Sequence, residues 1–562
     1  MLVVAMAPAC TTEASPPPPT AAATLGATEA VSPDAVVRYG VSSSPSSPWA
    51  HYRTSCDTSC SLVFGAVTDT LFATAADGET VGLLVESFGS NVDHTIHTWR
   101  LREGISFSDG SALDAAAVKV NIDACRFSPL TGPGLAGIDD VRADGSTLTI
   151  TSLAPWATLP VHFAETPCGH VFSARWLETL PDVPQRTVDA PFFDVAIAAQ
   201  PPSGDPARPI GLGPFTMASF APGNGNSTMM VRNPTYWRGA NGITGETLPR
   251  LDEIELVVIA DNGIRRTALE TGQFDIFHTL EPINQGEPAL IAGVDTFASA
   301  EFADTAQVVL NTADVDGNPL RHVSCRRAVV AAIDVPALTA LLDEPAPAVG
   351  PFSPGVLGHD PSRSVEPFDP AAAAQWAQRC AEDTAARTLR LLAAPGDPRA
   401  SIVEEMVERA SSASESGTIA IDIEELDASE LGLAALLGAF DLLIWDNQAG
   451  VHPDLAFPWW YSGASAPIGS VSTNIGRLED PALDRALVGL RRSESSEAVA
   501  RNAAAIQRAF DANAAFGWLY WPTWTVVANA SVDLDLRRAT PEGIELVPMI
   551  NGAHDLATVG SR

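Results

Sequence analysis

His97-Thr-Trp-Arg-Leu-Arg-Glu-Gly-Ile-Ser-Phe-Ser-Asp-Gly110, running on into Ser111-Ala-Leu-Asp-Ala-Ala-Ala-Val118, contains a strand, a turn and a helix start in close succession. Residues 97–102 alternate with period two, so Trp99 and Leu101 share one face and Arg100 and Arg102 take the other. Asp109-Gly110 supplies a turn, because glycine accepts the positive φ that tight turns require. Asp114 stands where a helix N-cap is needed, its carboxylate able to accept from the first free N–H groups of a helix running toward Cys125. A strand feeding a capped helix through so short a connection marks a mixed α/β chain.

Working outward, the same alternation of elements continues. Val36–Val41 and the stretch Leu251–Val258 read as strands, and Arg265 to Thr271 reads as a helix closed by Gly272. Helices are expected near Cys325–Leu342, Pro370–Ala381, Pro398–Ser411, Pro481–Arg491 and Glu497–Ala515, with no internal repeat and no heptad pattern. The length of 562 residues suits three or four domains or two large lobes. With 46% hydrophobic and 18% charged residues the chain is too apolar for general disorder. A formal net charge of −35 excludes the positive footprint that nucleic-acid or anionic-lipid binding needs.

Met1–Ala9 is an apolar run ending at Cys10, too short to span a bilayer. It reads as the tail of a signal peptide cut before Cys10, and Ala7-Pro8-Ala9 fits both lipoprotein processing, which puts lipid on Cys10, and ordinary small-x-small cleavage. Residues 10–35 then form an anchor and a Pro/Ala-rich tether that includes Pro16–Pro19. Setting Cys10 aside leaves an even six cysteines, as an oxidising compartment favours. Of the 15 pairings that six allow, the sequence-nearest set is expected: Cys56–Cys60, Cys125–Cys168 and Cys325–Cys380.

Several segments, in order, resemble the solute-binding proteins of ABC importers, of the large peptide, dipeptide and nickel type. Leu84–Phe88 with His97–Gly110 is similar to the family's strand, turn and F-x-D-G signature, with Asp114 in place of the usual threonine cap. Gly211-Leu-Gly-Pro-Phe215 is similar to its G-T-G-P-Y/F turn, and Asn233-Pro-Thr-Tyr-Trp237 to its N-x-x-Y-W element. Leu251–Ile254, Thr271–Asp275, Val309–Thr312, Cys325–Ala328 and Ala332–Asp334 follow in the family's order, so the resemblance covers nearly the whole chain after residue 36. It implies a two-lobed, periplasmic-binding-protein-like clamp (type II, with an extra subdomain). Residues 36–80, 210–305 and 518–562 would form the core of lobe I, 81–209 the extra subdomain and 306–517 lobe II. Crossings between lobes are expected near Ala306–Asn311 and Gly517–Pro522. The implied function is capture of a solute, foremost an oligopeptide, between the lobes and its delivery to the permease subunits of an importer. Such a protein works as a monomer on the extracytoplasmic face of the cell membrane, without catalysis or cofactor.

The family's pocket takes one wall from a W-x-x-D-Y-x-D-P stretch whose aspartate holds a peptide's α-ammonium. Here the corresponding run is Phe440 to Asp454; Trp445 and Pro453 match, Gln448 has the aspartate's spacing, and Asp446 and Asn447 are the candidates beside it. Trp459, Trp460 and Tyr461, with Tyr520, Trp521 and Trp524, form two aromatic groups suited to a planar or sugar-like ligand. Arg53 and Asp57, by the Cys56–Cys60 loop, are the candidates from the first lobe. Other readings are a sugar, nickel or haem-complex receptor, a sensory lipoprotein, or a secreted hydrolase. The hydrolase lacks support, since the sequence has no G-x-S-x-G, no H-E-x-x-H and no phosphate-binding glycine loop. His162, Glu165, Cys168 and His170 lie close in sequence, but a disulfide is the better use of Cys168 than a metal site.

Overall fold

A computed structural model describes residues 36–562 apart from 44–49, 54–55, 181–207, 222–224, 281–293, 300, 343–346, 366, 386–387, 414–417 and 448–449. The expectations for Met1–Ala9, Cys10, the tether to residue 35 and Gln448 lie outside the described residues.

The opening stretch folds as its pattern dictates. Ile96–Leu101 is a strand whose residues alternate exposed and buried, with Trp99 and Leu101 fully inside. Asp114 caps the Ala115–Arg126 helix, accepting from Ala117 N–H at 2.8 Å. This strand belongs to a four-stranded antiparallel sheet ordered Val85–Ser90, Ile96–Leu101, Thr147–Ser152, Ile138–Asp144. A seven-stranded mixed sheet lies beside it, centred on Val37–Val41, which pairs in parallel with Glu253–Val258 and Ile276–Thr279. One continuous apolar core serves both sheets, from Trp99 and Phe72 through Tyr39 to Val526.

The third large sheet has five strands: Ala420–Glu425, Thr388–Ala393, Leu442–Asn447, Thr305–Leu310 and Phe516–Tyr520. Thr305–Leu310 runs antiparallel to both of its neighbours, so the other four strands all point the same way. Its two faces carry separate cores, one around Val309, Leu443, Trp460 and Phe510, the other around Val308, Leu391, Val403 and Ile444. The helix expected near Cys325–Leu342 is two, Val323–Ala332 and Val335–Leu341, because Asp334 caps a new helix that has Pro336 in its first turn. The chain leaves the seven-stranded sheet after Ser299 and enters the five-stranded sheet at Thr305; it returns between Tyr520 and Trp524. The first crossing therefore precedes Ala306–Asn311, most of which belongs to a fully hydrogen-bonded inner strand of the second lobe.

The family-like landmarks act as framework. Phe107 is buried, Gly110 takes φ 78°, and Ser108 N–H donates to the Gly211 carbonyl at 2.8 Å, so two separate motifs meet in one contact. Asn233 Nδ2 donates to the Gly213 carbonyl and Trp237 Nε1 to Asp69. The six cysteines pair as Cys56–Cys60, Cys125–Cys168 and Cys325–Cys380, with Cα separations of 5.1, 6.0 and 4.5 Å. Among the described residues no helix is long and apolar enough to cross a membrane.

Candidate functional site

In open α/β sheets, ligands lie in the crevice outside the carboxyl ends of the strands. In the five-stranded sheet that edge holds Ala393, Glu425 and Asn447, and it also receives both crossings, since Thr305 pairs with Asn447 and Ala306 with Tyr520. The residues at this edge are therefore the ones that hinge motion would carry toward or away from the first lobe.

Strand alternation sorts the expected Trp445-Asp446-Asn447 wall into two groups. Asp446 points to the side of the Pro398–Ser412 helix, whereas Trp445 and Asn447 lie on the other face. Arg399, in the first turn of that helix, donates to both oxygens of Asp446 at 2.6 and 3.0 Å and to the helix-capping Asp397 at 2.6 to 3.0 Å. Burial works against the guanidinium charge, but Asp446 and Asp397 more than offset it and hold Arg399 well above its ordinary range. Asp446 is thus already bidentately paired.

Asp304, on the crossing itself, has a different environment. It is 4% exposed, and its carboxyl is pushed up to about 8, first by burial and then by the negative charge of Asp446, with Asp57 adding to it. The Asn551 amide, turned with its nitrogen toward the crossing, donates to Asp304 Oδ1 at 2.9 Å and to the Phe302 carbonyl at 2.7 Å. The Trp524 indole N–H comes within reach of Asp304 without closing a hydrogen bond of ordinary geometry. Phe302 and Asn551 both take left-handed φ values (54° and 47°), which residues other than glycine adopt at a cost. Gly552, at φ 76°, lies flat on Trp524, where a Cβ would stand 2.4 Å from the ring.

From the first lobe, Asp57 caps the Thr58–Val67 helix, accepting from Cys60 N–H at 2.9 Å and from the Ser43 hydroxyl. Arg399 is shared between Asp446 and Asp397, while Asp304 faces the negative charge of Asp446 and of Asp57. The crevice therefore favours a cation.

The remaining expected residues divide. Tyr520 is buried in the core that Arg399's helix also packs on, with its phenol close enough to favour the Arg399 charge. Trp521 is 5% exposed, edge-on to His359 at 5.3 Å. Trp460 is 1% exposed and packs edge-on against Phe352 and Phe510, so it is a core residue. Trp459 and Tyr461 are half-buried, Tyr461 stacking on Phe457 at 4.5 Å. Asn447 Nδ2 is buried without a hydrogen-bond partner, as is Gln307 Oε1. Arg53 is half-buried over the Tyr52 ring. His162, Glu165, Cys168 and His170 go to separate partners: Asp454, Thr74 N–H, Cys125 and Thr68. Among the described residues no group of three or more His, Cys, Asp or Glu stands ready to hold a metal ion.

Sequence reasoning missed Asp304 and Arg399. The signal for Arg399 is the Asp397-Pro398 cap opening a helix directly after a parallel strand, which places its first turn over the crevice. Asp304 carries no local motif and emerges only once the crossing is located.

The pattern described as "Bacterial extracellular solute-binding proteins, family 5 Middle" matches residues 79–467. A glutathione-binding protein, GsiB, of Pectobacterium atrosepticum is 26% identical over 312 residues, 54% of this chain and 53% of that one. The chain thus spans about half the length of the curated relatives it matches. Among solved structures, the oligopeptide-binding protein AppA of Bacillus subtilis in complex with a nonapeptide aligns with a TM-score of 0.74 at 14% identity, covering 94% of this chain and 99% of that one. NikA of Staphylococcus aureus in complex with Ni(L-His)2 aligns with a TM-score of 0.67 at 18% identity, covering 91% and 98%. Both likenesses show the fold: two lobes joined by crossing strands.

Proposed function

The chain belongs to the bacterial extracellular solute-binding proteins of family 5, and from that premise we propose that it captures a peptide with a free N-terminus in the crevice and delivers it to an ABC permease. The observation that carries this reading is Asp304, a buried carboxyl facing Asp446 and Asp57 with too little positive charge around it. An incoming α-ammonium group supplies the missing cation and two or three hydrogen-bond donors. Asp446, held by Arg399, then acts mainly through its field, and Trp524 stands beside Asp304. Closing the lobes removes water from this site and strengthens the ammonium–carboxylate attraction. The ligands of the similar proteins, glutathione, a nonapeptide and nickel–histidine, include two with peptide bonds, which supports a peptide over a sugar. The domain boundaries given above, with the earlier first crossing, and a lipid anchor on Cys10 belong to the same proposal.

Native mass spectrometry of gently purified protein, compared with its denatured mass, tests the reading. A spread of added masses fitting short peptides is expected. A single added mass that does not correspond to any peptide would overturn it.

A further inference from the structure

Asp454 follows Pro453 in a short turn beyond the Leu442–Asn447 strand and is completely buried. Its Oδ2 accepts from Trp156 Nε1 at 3.1 Å, Thr158 Oγ1 at 2.5 Å and His162 Nε2 at 3.0 Å. Its Oδ1 accepts from Arg491 Nε at 3.3 Å. Four donors use the whole accepting capacity of a carboxylate. Burial alone would push this carboxyl up, but His162 and then Arg491 beside it, with the Thr158 hydroxyl, hold it well below the aspartate range.

The origin of the donors gives the cluster its meaning. Trp156, Thr158 and His162 follow the four-stranded sheet of the first half of the molecule, while Asp454 and Arg491 belong to the half built on the five-stranded sheet. The charge pair is thus carried whole by one side and met by an indole, a hydroxyl and an imidazole that burial keeps neutral. Around it, Arg491 also donates to the Gly134 carbonyl at 2.8 Å and lies 3.9 Å over the Trp156 ring. Thr158 N–H reaches the Arg491 carbonyl, and Val161 is part of the core on the far side. A pair between half-buried His94 and exposed Glu494 flanks the contact.

Such an arrangement separates cleanly. When the halves part, Asp454 keeps Arg491 and exchanges three neutral donors for water, so no charge is stranded. We propose that Asp454 seats an interlobe latch that holds the clamp closed in the absence of ligand. Among the described residues no hydrogen bond joins Asp454 to Asp304, Asp446 or Asp57, and the latch acts by setting the population of the closed state. The inference rests on the clamp reading, but its test needs no ligand and so fails or succeeds independently of the peptide proposal.

The test is small-angle X-ray scattering of the ligand-free full chain, with Thr158→Val and Trp156→Phe as variants that leave Arg491 and Asp454 paired. Thr158→Ser keeps the hydroxyl and serves as the conservative control. Wild type and Thr158→Ser should scatter as the closed structure does. Thr158→Val and the Trp156→Phe/Thr158→Val double variant should show a larger radius of gyration with unchanged far-ultraviolet circular dichroism. Once the co-purifying solute is known, a clamp whose closed fraction falls to about a tenth should bind it about tenfold more weakly. An open wild-type profile without ligand, or variants that scatter like wild type, would overturn the latch.

Discussion

Asp304 and Asp454 are both buried carboxyls beside the same half of the molecule, yet their surroundings drive them in opposite directions. Asp454 collects four donors, one of them a guanidinium, and stays ionised. Asp304 has one amide donor and faces two other carboxylates, so its proton is retained to about pH 8. A fully satisfied carboxylate is structural material, whereas an under-satisfied one is prepared for a partner that arrives later. Burial does not separate the two roles; the count and charge of donors do.

The strongest way to break this comparison is to remove the charge from each residue in turn. Asp454→Asn leaves the buried Arg491 without its counter-ion, and a loss of about 3–5 kcal/mol in unfolding free energy is expected from urea denaturation. Asp304→Asn removes no existing ion pair and lifts the cost of a buried titrating carboxyl, so stability at neutral pH should hold or rise while affinity for a free-amine peptide falls by about 2 kcal/mol or more, read by calorimetry. Retained affinity in Asp304→Asn would move the recognition site elsewhere in the crevice.

The pH dependence sharpens the contrast because its sign differs. Asp304 has a raised folded value, so the folded state holds the extra proton; its contribution to stability is present below about pH 4 and is lost as pH rises through about 8. Asp454 has a depressed folded value, so its contribution is present at neutral pH and is lost only as pH falls below the ordinary aspartate range. Asp304→Asn should therefore flatten the decline in stability between pH 4 and 8 and leave the acid limb unchanged in urea titrations. The smallest effect is expected at a purely local device: Asp114→Ala should cost about 1 kcal/mol through the lost helix cap and leave binding alone.

Local periodicity made the framework legible. The Trp99 and Leu101 alternation, the Asp114 cap and the Pro370, Pro398 and Pro481 helix starts depend on nearest neighbours in sequence, and the structure follows them closely. Sequence proximity also grouped Trp445, Asp446 and Asn447, but a strand sends neighbours to opposite faces, which separates them. Trp460 looked like ligand surface and packs in a core, since a tryptophan run next to a hinge serves either purpose. Asp304, Arg399 and the donors to Asp454 come from segments far apart in the chain, and nothing short-range announces their meeting.

The central claim is that a cation completes Asp304. Isothermal calorimetry at pH 7, in two buffers of different ionisation enthalpy, tests it with a co-purifying peptide and its N-acetylated form. The account predicts that the free-amine peptide displaces nearly one proton from the wild-type protein and none from Asp304→Asn, and that N-acetylation weakens binding and abolishes the release. Tight binding of both forms with no proton release would contradict it.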